Sequence, residues 1–216
     1  LKPLIDQLKK NNKIILKLLV SGSHLKSQYG FTYSKISENH KKISKKIYLN
    51  SNSDNSKKLS NYISEGIKKY SNFLNNEKPD FSIILGDRSE AFAFGIACYS
   101  LNVPIGHIHG GEITEGSLDD GFRHSLTKLS NLHFVTNNIY KKRVIQLGEN
   151  PKVVHNVGSL AEENIFNYNY LTKSETQNKL KMNFGEKNLI VSFHSETNNL
   201  NYTIKNFKEL LKAIDY

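Results

Sequence analysis

Residues 107–124, HIHGGEITEGSLDDGFRH, hold three histidines, two glutamates, two aspartates, one arginine and four glycines. A solvated loop needs no such mixture. Two chemistries would use it. In the first, His107 and His109 are two apart on a strand, share a face, and bind zinc with Glu112 or Asp87. An H-x-H pair alone is a weak motif, and the further histidines and carboxylate of a metal-dependent hydrolase are not found. That reading is the rival, and no metal is expected. In the second, carboxylates with separated pKa values act as acid and base. Asp119 and the upstream Asp87, in the run GDR, are among the carboxylates open to it. Each also has a plain structural role open to it. Asp87 is placed to cap the helix starting near Ser89, and Asp119 and Arg123 have the spacing of a helix-surface ion pair. Asp120 and His124 repeat that spacing on a neighbouring face. Arg88 suits phosphate, with a surface ion pair as the plain alternative.

These groups need elements to hold them. Short apolar runs bounded by Gly and Pro alternate with segments of helical periodicity. Helices are expected over 3–11, 54–76, 89–102, 118–131, 138–150 and 202–216. Strands are expected over 13–22, 81–85, 103–111, 132–137 and 151–159, with 31–50 irregular apart from a short strand at 47–49. The strand–helix repeat of roughly 25 residues is that of βαβ units, a parallel sheet with helices on both faces. In such sheets ligands sit at the carboxyl ends of the strands. The polar clusters fall there: Ser21-Gly22-Ser23-His24, Gly86-Asp87-Arg88, His107 to Glu112, and Gly158-Ser159. The last is also a common turn.

Composition narrows the classes. The chain has 216 residues and a formal net charge of +10. The charge is mostly lysine spread in pairs along the chain, arginine occurring only at 88, 123 and 143. Neither a nucleic-acid motif nor interleaved stacking aromatics accompany it, so no nucleic-acid partner is expected. No run of apolar residues reaches the length of a membrane span, and the N-terminus, LKPLIDQLKKNNK, lacks a cleavable leader. The single cysteine, Cys98, cannot form an internal disulfide, which fits a reducing cytoplasm. The first residue, Leu1, suggests a fragment.

The ordered motifs GDRSEAFAFGIACYSLNVPIGHIHGGE, GSLDDGFRHSLTKLSNLHF and NVGSLAEENI resemble the hydrolysing UDP-N-acetylglucosamine 2-epimerases. GSHLKSQYG (22–30) and LIVSFHSET (189–197) resemble an earlier loop of that family and the start of its second domain. The resemblance implies a Rossmann-like, doubly wound α/β domain over 1–185, lacking its first strand. Residues 186–216 would open the second, nucleotide-binding domain of a two-domain GT-B-like architecture. It also implies a reaction. UDP is eliminated across carbons 1 and 2 of UDP-N-acetylglucosamine, or a related activated sugar, to give a glycal. Hydration then yields N-acetylmannosamine, or its analogue, and UDP, without a redox cofactor.

Carried over by motif, Asp87 and Asp119 become acid/base groups, joined by either His109 or Glu112. In some members of the wider family a glutamate stands at the His109 position, whereas here the glutamate follows three residues later. His194 matches a histidine at the domain interface, and Arg88, Arg123, His124, His24, Gly158 and Ser159 line the substrate. The partner is a nucleotide sugar, and the complete enzyme a homodimer. Residues 1–216 alone are expected to bind UDP at least ~100-fold more weakly than the complete enzyme, and to be inactive. A non-catalytic nucleotide-sugar-binding piece is the remaining alternative.

Overall fold

The computed structural model describes residues 1–40, 43–50, 56–166, 168–193 and 200–215. The chain divides into two compact units, one of 1–114 with 118–163, the other of 164–216 with 115–117.

The first unit opens with α1 (Lys2–Lys10), β1 (Leu19–Ser21), α2 (Tyr33–His40), β2 (Lys45–Ile47) and α3 (Ser56–Glu77). It continues with β3 (Ser82–Leu85), α4 (Ser89–Ser100), β4 (Ile105–Ile108), α5 (Asp119–Leu129), β5 (Leu132–Val135), α6 (Asn138–Gln146) and β6 (Val154–Asn156). The short helix α7 (Leu160–Phe166) follows. Strands β3, β4, β5 and β6 form a parallel sheet in chain order, and β1 pairs in parallel with β2 as a separate ribbon.

Consecutive parallel strands joined by right-handed crossovers put their helices on one face. Burial agrees. Ile84, His107, His133, Val135 and Val154 lie beneath α4, α5 and α6, and all are buried. Gly95 is a point of close approach: a Cβ there would lie 3.6 Å from Ile84 and collide with Leu126 of α5. On the opposite face Phe81, Ile83 and Leu85 remain 38–40 % exposed. Helices α4, α5 and α6 thus cover one face of this sheet. Helix α3 packs on α4, with Tyr70 edge-on to Phe94 at 5.3 Å.

Element ends follow local chemistry. The strand expected over 13–22 shrinks to Leu19–Ser21, the residues paired with β2. Ile15, outside that pairing, is 87 % exposed. Within the stretch read as irregular, 33–40 is helical, and the short strand lies at 45–47 rather than 47–49. The strand expected over 103–111 ends at Ile108, since His109 turns to φ 66° and Gly111 to φ 78°. Asn137 caps α6 by accepting from the Tyr140 amide at 2.9 Å. The strand expected from 151 starts at Val154 because Pro151 opens a 3-10 turn capped by Asn150.

In the second unit, α8 (Lys173–Leu180) begins with a capping box between Thr172 and Glu175. The apolar run at 189–193 forms no strand. Its Leu189 and Ile190 are 75 % and 95 % exposed. Helix α9 (Leu200–Ile214) follows, with Phe207 at 5.3 Å from Phe193. His194 lies outside the described residues.

Candidate active site

The carboxyl ends of β3, β4 and β5 are neighbours, so the residues following each strand meet at one edge of the sheet. Asp87 follows β3 after Gly86, whose φ of 79° turns the chain off the strand. His109 and Glu112 follow β4, Thr136 follows β5, and Asp119 and Arg123 stand on the first turns of α5.

Arg123 ties these groups together. Its side chain is only 7 % exposed and ion-pairs with Asp87 through Nη2. Nη1 donates to the His109 carbonyl at 3.0 Å and reaches Glu112 at 3.5 Å, and Nη2 reaches the Thr114 hydroxyl at 3.3 Å. The guanidinium expected to bind substrate is thus committed to holding Asp87 and Glu112 together. A cation so buried needs this compensation.

The choice left open between His109 and Glu112 becomes a pair. His109 Nδ1 lies 2.8 Å from Glu112 Oε1, which also accepts from the Thr136 hydroxyl at 3.2 Å. His109 reaches this position with a left-handed backbone, uncommon for a non-glycine residue and frequent at functional sites. Gly111 is needed on geometric grounds as well: a Cβ there would meet the Tyr140 carbonyl oxygen at 2.6 Å.

Asp119 stands on the first turn of α5. Burial, then the charges of Asp87 and Glu90, raise its pKa above the ordinary carboxyl value, against the opposing pull of Arg88 and Arg123. A shift in this direction favours the protonated form of the carboxyl group. Arg88, the residue before α4, pairs with Glu90 at 3.0 Å and keeps a largely solvent-exposed side chain.

Other expected site residues are placed differently. His124 lies 3.8 Å from Asp120 and lines a groove with Phe92, Lys128 and Leu147. His24 bonds to the Thr32 hydroxyl at 2.7 Å in the loop after β1. Ser159 accepts from the Ala161 amide at 3.2 Å and so caps the turn into α7, while Gly158 supplies a φ of 76° there.

His107 is consumed structurally. It is fully buried, with Nε2 at 2.8 Å from the Gly86 carbonyl and Nδ1 at 3.2 Å from the Thr127 hydroxyl. Burial pushes its pKa down to about 4. Because His109 leaves the strand, the two histidines do not share a face, which removes the geometric basis of the H-x-H metal reading. Among the described residues no cluster of three His, Cys, Asp or Glu side chains is arranged to hold a metal.

Sequence reasoning missed Thr114, Thr136 and Glu90. Thr136 had a readable signal, since it follows an apolar run at a strand end, as Asp87 and His109 do. Glu90 sits within the same GDRSE run as Asp87. Thr114 carried none, because its role depends on where α5 brings Arg123.

Residues 6–216 match the family model described as UDP-N-acetylglucosamine 2-epimerase, and the chain belongs to that family. It has an α/β, Rossmann-like fold of the GT-B-like kind found in solved UDP-N-acetylglucosamine 2-epimerases. It is 38 % identical over its whole length to the GDP/UDP-N,N'-diacetylbacillosamine 2-epimerase (hydrolyzing) of Campylobacter jejuni, spanning 56 % of that protein. It is 36 % identical over 99 % of its length to the polysialic acid biosynthesis protein P7 of Escherichia coli, spanning 54 % of it. Among solved structures it resembles the UDP-GlcNAc 2-epimerase from Neisseria meningitidis bound to UDP-GlcNAc. The TM-score is 0.67 at 19 % identity, over 84 % of this chain and 47 % of that one. The chain therefore spans about half the length of the relatives it matches. Among the described residues no helix is long and apolar enough to cross a membrane.

Proposed function

We propose that the chain supplies the carboxylate-bearing wall of a hydrolysing 2-epimerase. The substrate is UDP-N-acetylglucosamine or a related nucleotide-activated N-acetylamino sugar, and the products are the 2-epimeric free sugar and UDP. The observation carrying this reading is the Arg123 knot. Asp87 and Glu112 are paired to one buried guanidinium, beside an Asp119 whose pKa is raised. Elimination at a carbon with no adjacent carbonyl needs a base for the C2 proton and a separate proton donor for its return. Carboxylates in contrasting environments meet that need.

In this reading Asp87 takes the C2 proton as the C1–oxygen bond to UDP breaks, and the C–H electron pair becomes the C1=C2 bond of the glycal. Asp119 then delivers its proton to C2 from the other side. Water adds at C1, oriented by the His109–Glu112 pair, and returns a proton to Asp119. The proton first removed leaves with solvent, so the sum is sugar nucleotide plus water giving free sugar plus UDP. The names of the relatives support a nucleotide sugar. The Campylobacter relative's name covers both GDP and UDP forms, and an N,N'-diacetylated sugar. The complete enzyme is proposed to act as a homodimer.

In the protein that carries this chain, Asp87→Asn and Asp119→Asn should each cut UDP release from UDP-N-acetylglucosamine or its diacetylbacillosamine analogue by about 1000-fold or more. Circular dichroism should remain that of the parent. Near-parental turnover in either variant removes that residue from the mechanism. Retained carbon-bound hydrogen at C2, measured by NMR of the product formed in deuterium oxide, would exclude the elimination route.

A further inference from the structure

A carboxylate beside an arginine that is to bind an anion weakens that binding unless it does something else there, and Glu90 lies against Arg88. It lies in the first turn of α4, where the helix dipole favours its charge. Its side chain is 14 % exposed, against 65 % for Arg88, whose Nε donates to it at 3.0 Å. The seat is built by a glycine. Gly22, just past β1, has a φ of 66°, and a Cβ there would lie 2.8 Å from the Glu90 carboxyl carbon. The charge is felt on every side. After burial, Glu90 is the largest influence raising the Tyr62 phenol; it also helps raise Tyr70 and Asp119. Among the described residues Nε is the one Arg88 nitrogen with a hydrogen bond, and the side chain is 65 % exposed, which leaves the terminal edge without one. That edge of a guanidinium matches two oxygens of a phosphate.

We infer that Glu90, seated on the bare Cα of Gly22, is a positioning residue. It takes the Nε edge of Arg88 and presents the terminal edge to the diphosphate of the substrate. The inference rests on the nucleotide-sugar reading above and extends it to a residue and a glycine that the reaction chemistry does not itself call for. A long, exposed arginine otherwise samples many rotamers, and fixing one in advance strengthens binding.

The sign of the effect makes it testable. Removing a negative charge near a bound anion should tighten binding if charge alone matters. If Glu90 acts through Arg88, removal should weaken it. The probes are inorganic pyrophosphate and UDP, titrated calorimetrically into the protein that carries this chain. Glu90→Leu is expected to weaken both about tenfold, the worth of one well-oriented charged hydrogen bond. Glu90→Gln, which keeps an oxygen facing Nε, should recover most of that loss. Gly22→Ala, which dislodges the carboxylate without removing it, should reproduce the loss and serves if Glu90→Leu fails to fold. In an Arg88→Ala background, Glu90→Leu should add no further loss. Tighter or unchanged binding in Glu90→Leu, additive losses in the double variant, or no pyrophosphate binding by the parent overturns the inference. Coupled binding of pyrophosphate in a protein that releases no UDP from sugar nucleotides would instead overturn the epimerase reading alone.

Discussion

The four-stranded sheet of the first unit and residues 189–193 and 200–214 of the second present similar apolar runs with opposite fates. In β4, Ile105, Gly106, His107 and Ile108 are all buried, paired on one side to β3 and on the other to β5. At 189–193 the run Leu-Ile-Val-Ser-Phe is as apolar, yet Leu189 and Ile190 lie open to solvent and no ladder forms. Helix α9 shows the same contrast with α4. Alanines 93 and 97 of α4 are fully buried, whereas Ile204, Phe207, Leu211 and Ile214 of α9 are 42–47 % exposed. Propensity is alike in the two regions; what differs is the presence of partner strands and helices. A strand is stable by pairing and an amphipathic helix by covering something.

The largest effect should come from breaking the first region at its polar knot. Arg123→Leu leaves Asp87 and Glu112 partly buried without their shared cation, and should destabilise the first unit by roughly 3–5 kcal/mol. Thermal or urea unfolding followed by circular dichroism measures this. A loss under 1 kcal/mol would mean that the knot is no more than a surface ion pair.

Acid should act on the same region through His107. Its folded pKa of about 4 lies below the ordinary 6.5. Between those values the unfolded chain takes up a proton that the folded chain refuses. Stability is therefore complete above about pH 6.5, falls as the pH drops, and reaches its full loss near pH 4, on the order of 3 kcal/mol. His107→Gln should flatten that part of the pH–stability curve. An unchanged slope would assign the acid sensitivity to other groups.

The smallest effect belongs to the second region. Ile190→Ser should change the unfolding free energy by less than about 0.5 kcal/mol, as for other exposed positions. Backbone amides at 189–193 should exchange with deuterium far faster than those of β4. Slow exchange there would show that the segment finds a partner in solution and would erase the comparison.

Periodicity and turn residues determined much of this protein by themselves. The order of strands and helices from Ser82 to Asn156 and the placing of polar residues at strand ends are local consequences of apolar spacing and Gly or Asn breaks, and their strand–helix alternation implied a parallel sheet. The motif run around GDR and HIHGGE likewise pointed to the family. Three decisions belonged to the tertiary structure. Arg123 is equally a surface or a buried residue on a helical wheel, and only the packing of α5 over β4 aims it at Asp87 and Glu112. His107 and His109 look like a matched pair until the chain turns left-handed at His109, which sends one into the core and the other to Glu112. The run 189–193 reads as a strand in any window, but hydrogen bonds between strands are contacts distant in sequence, and no local pattern can supply the partner.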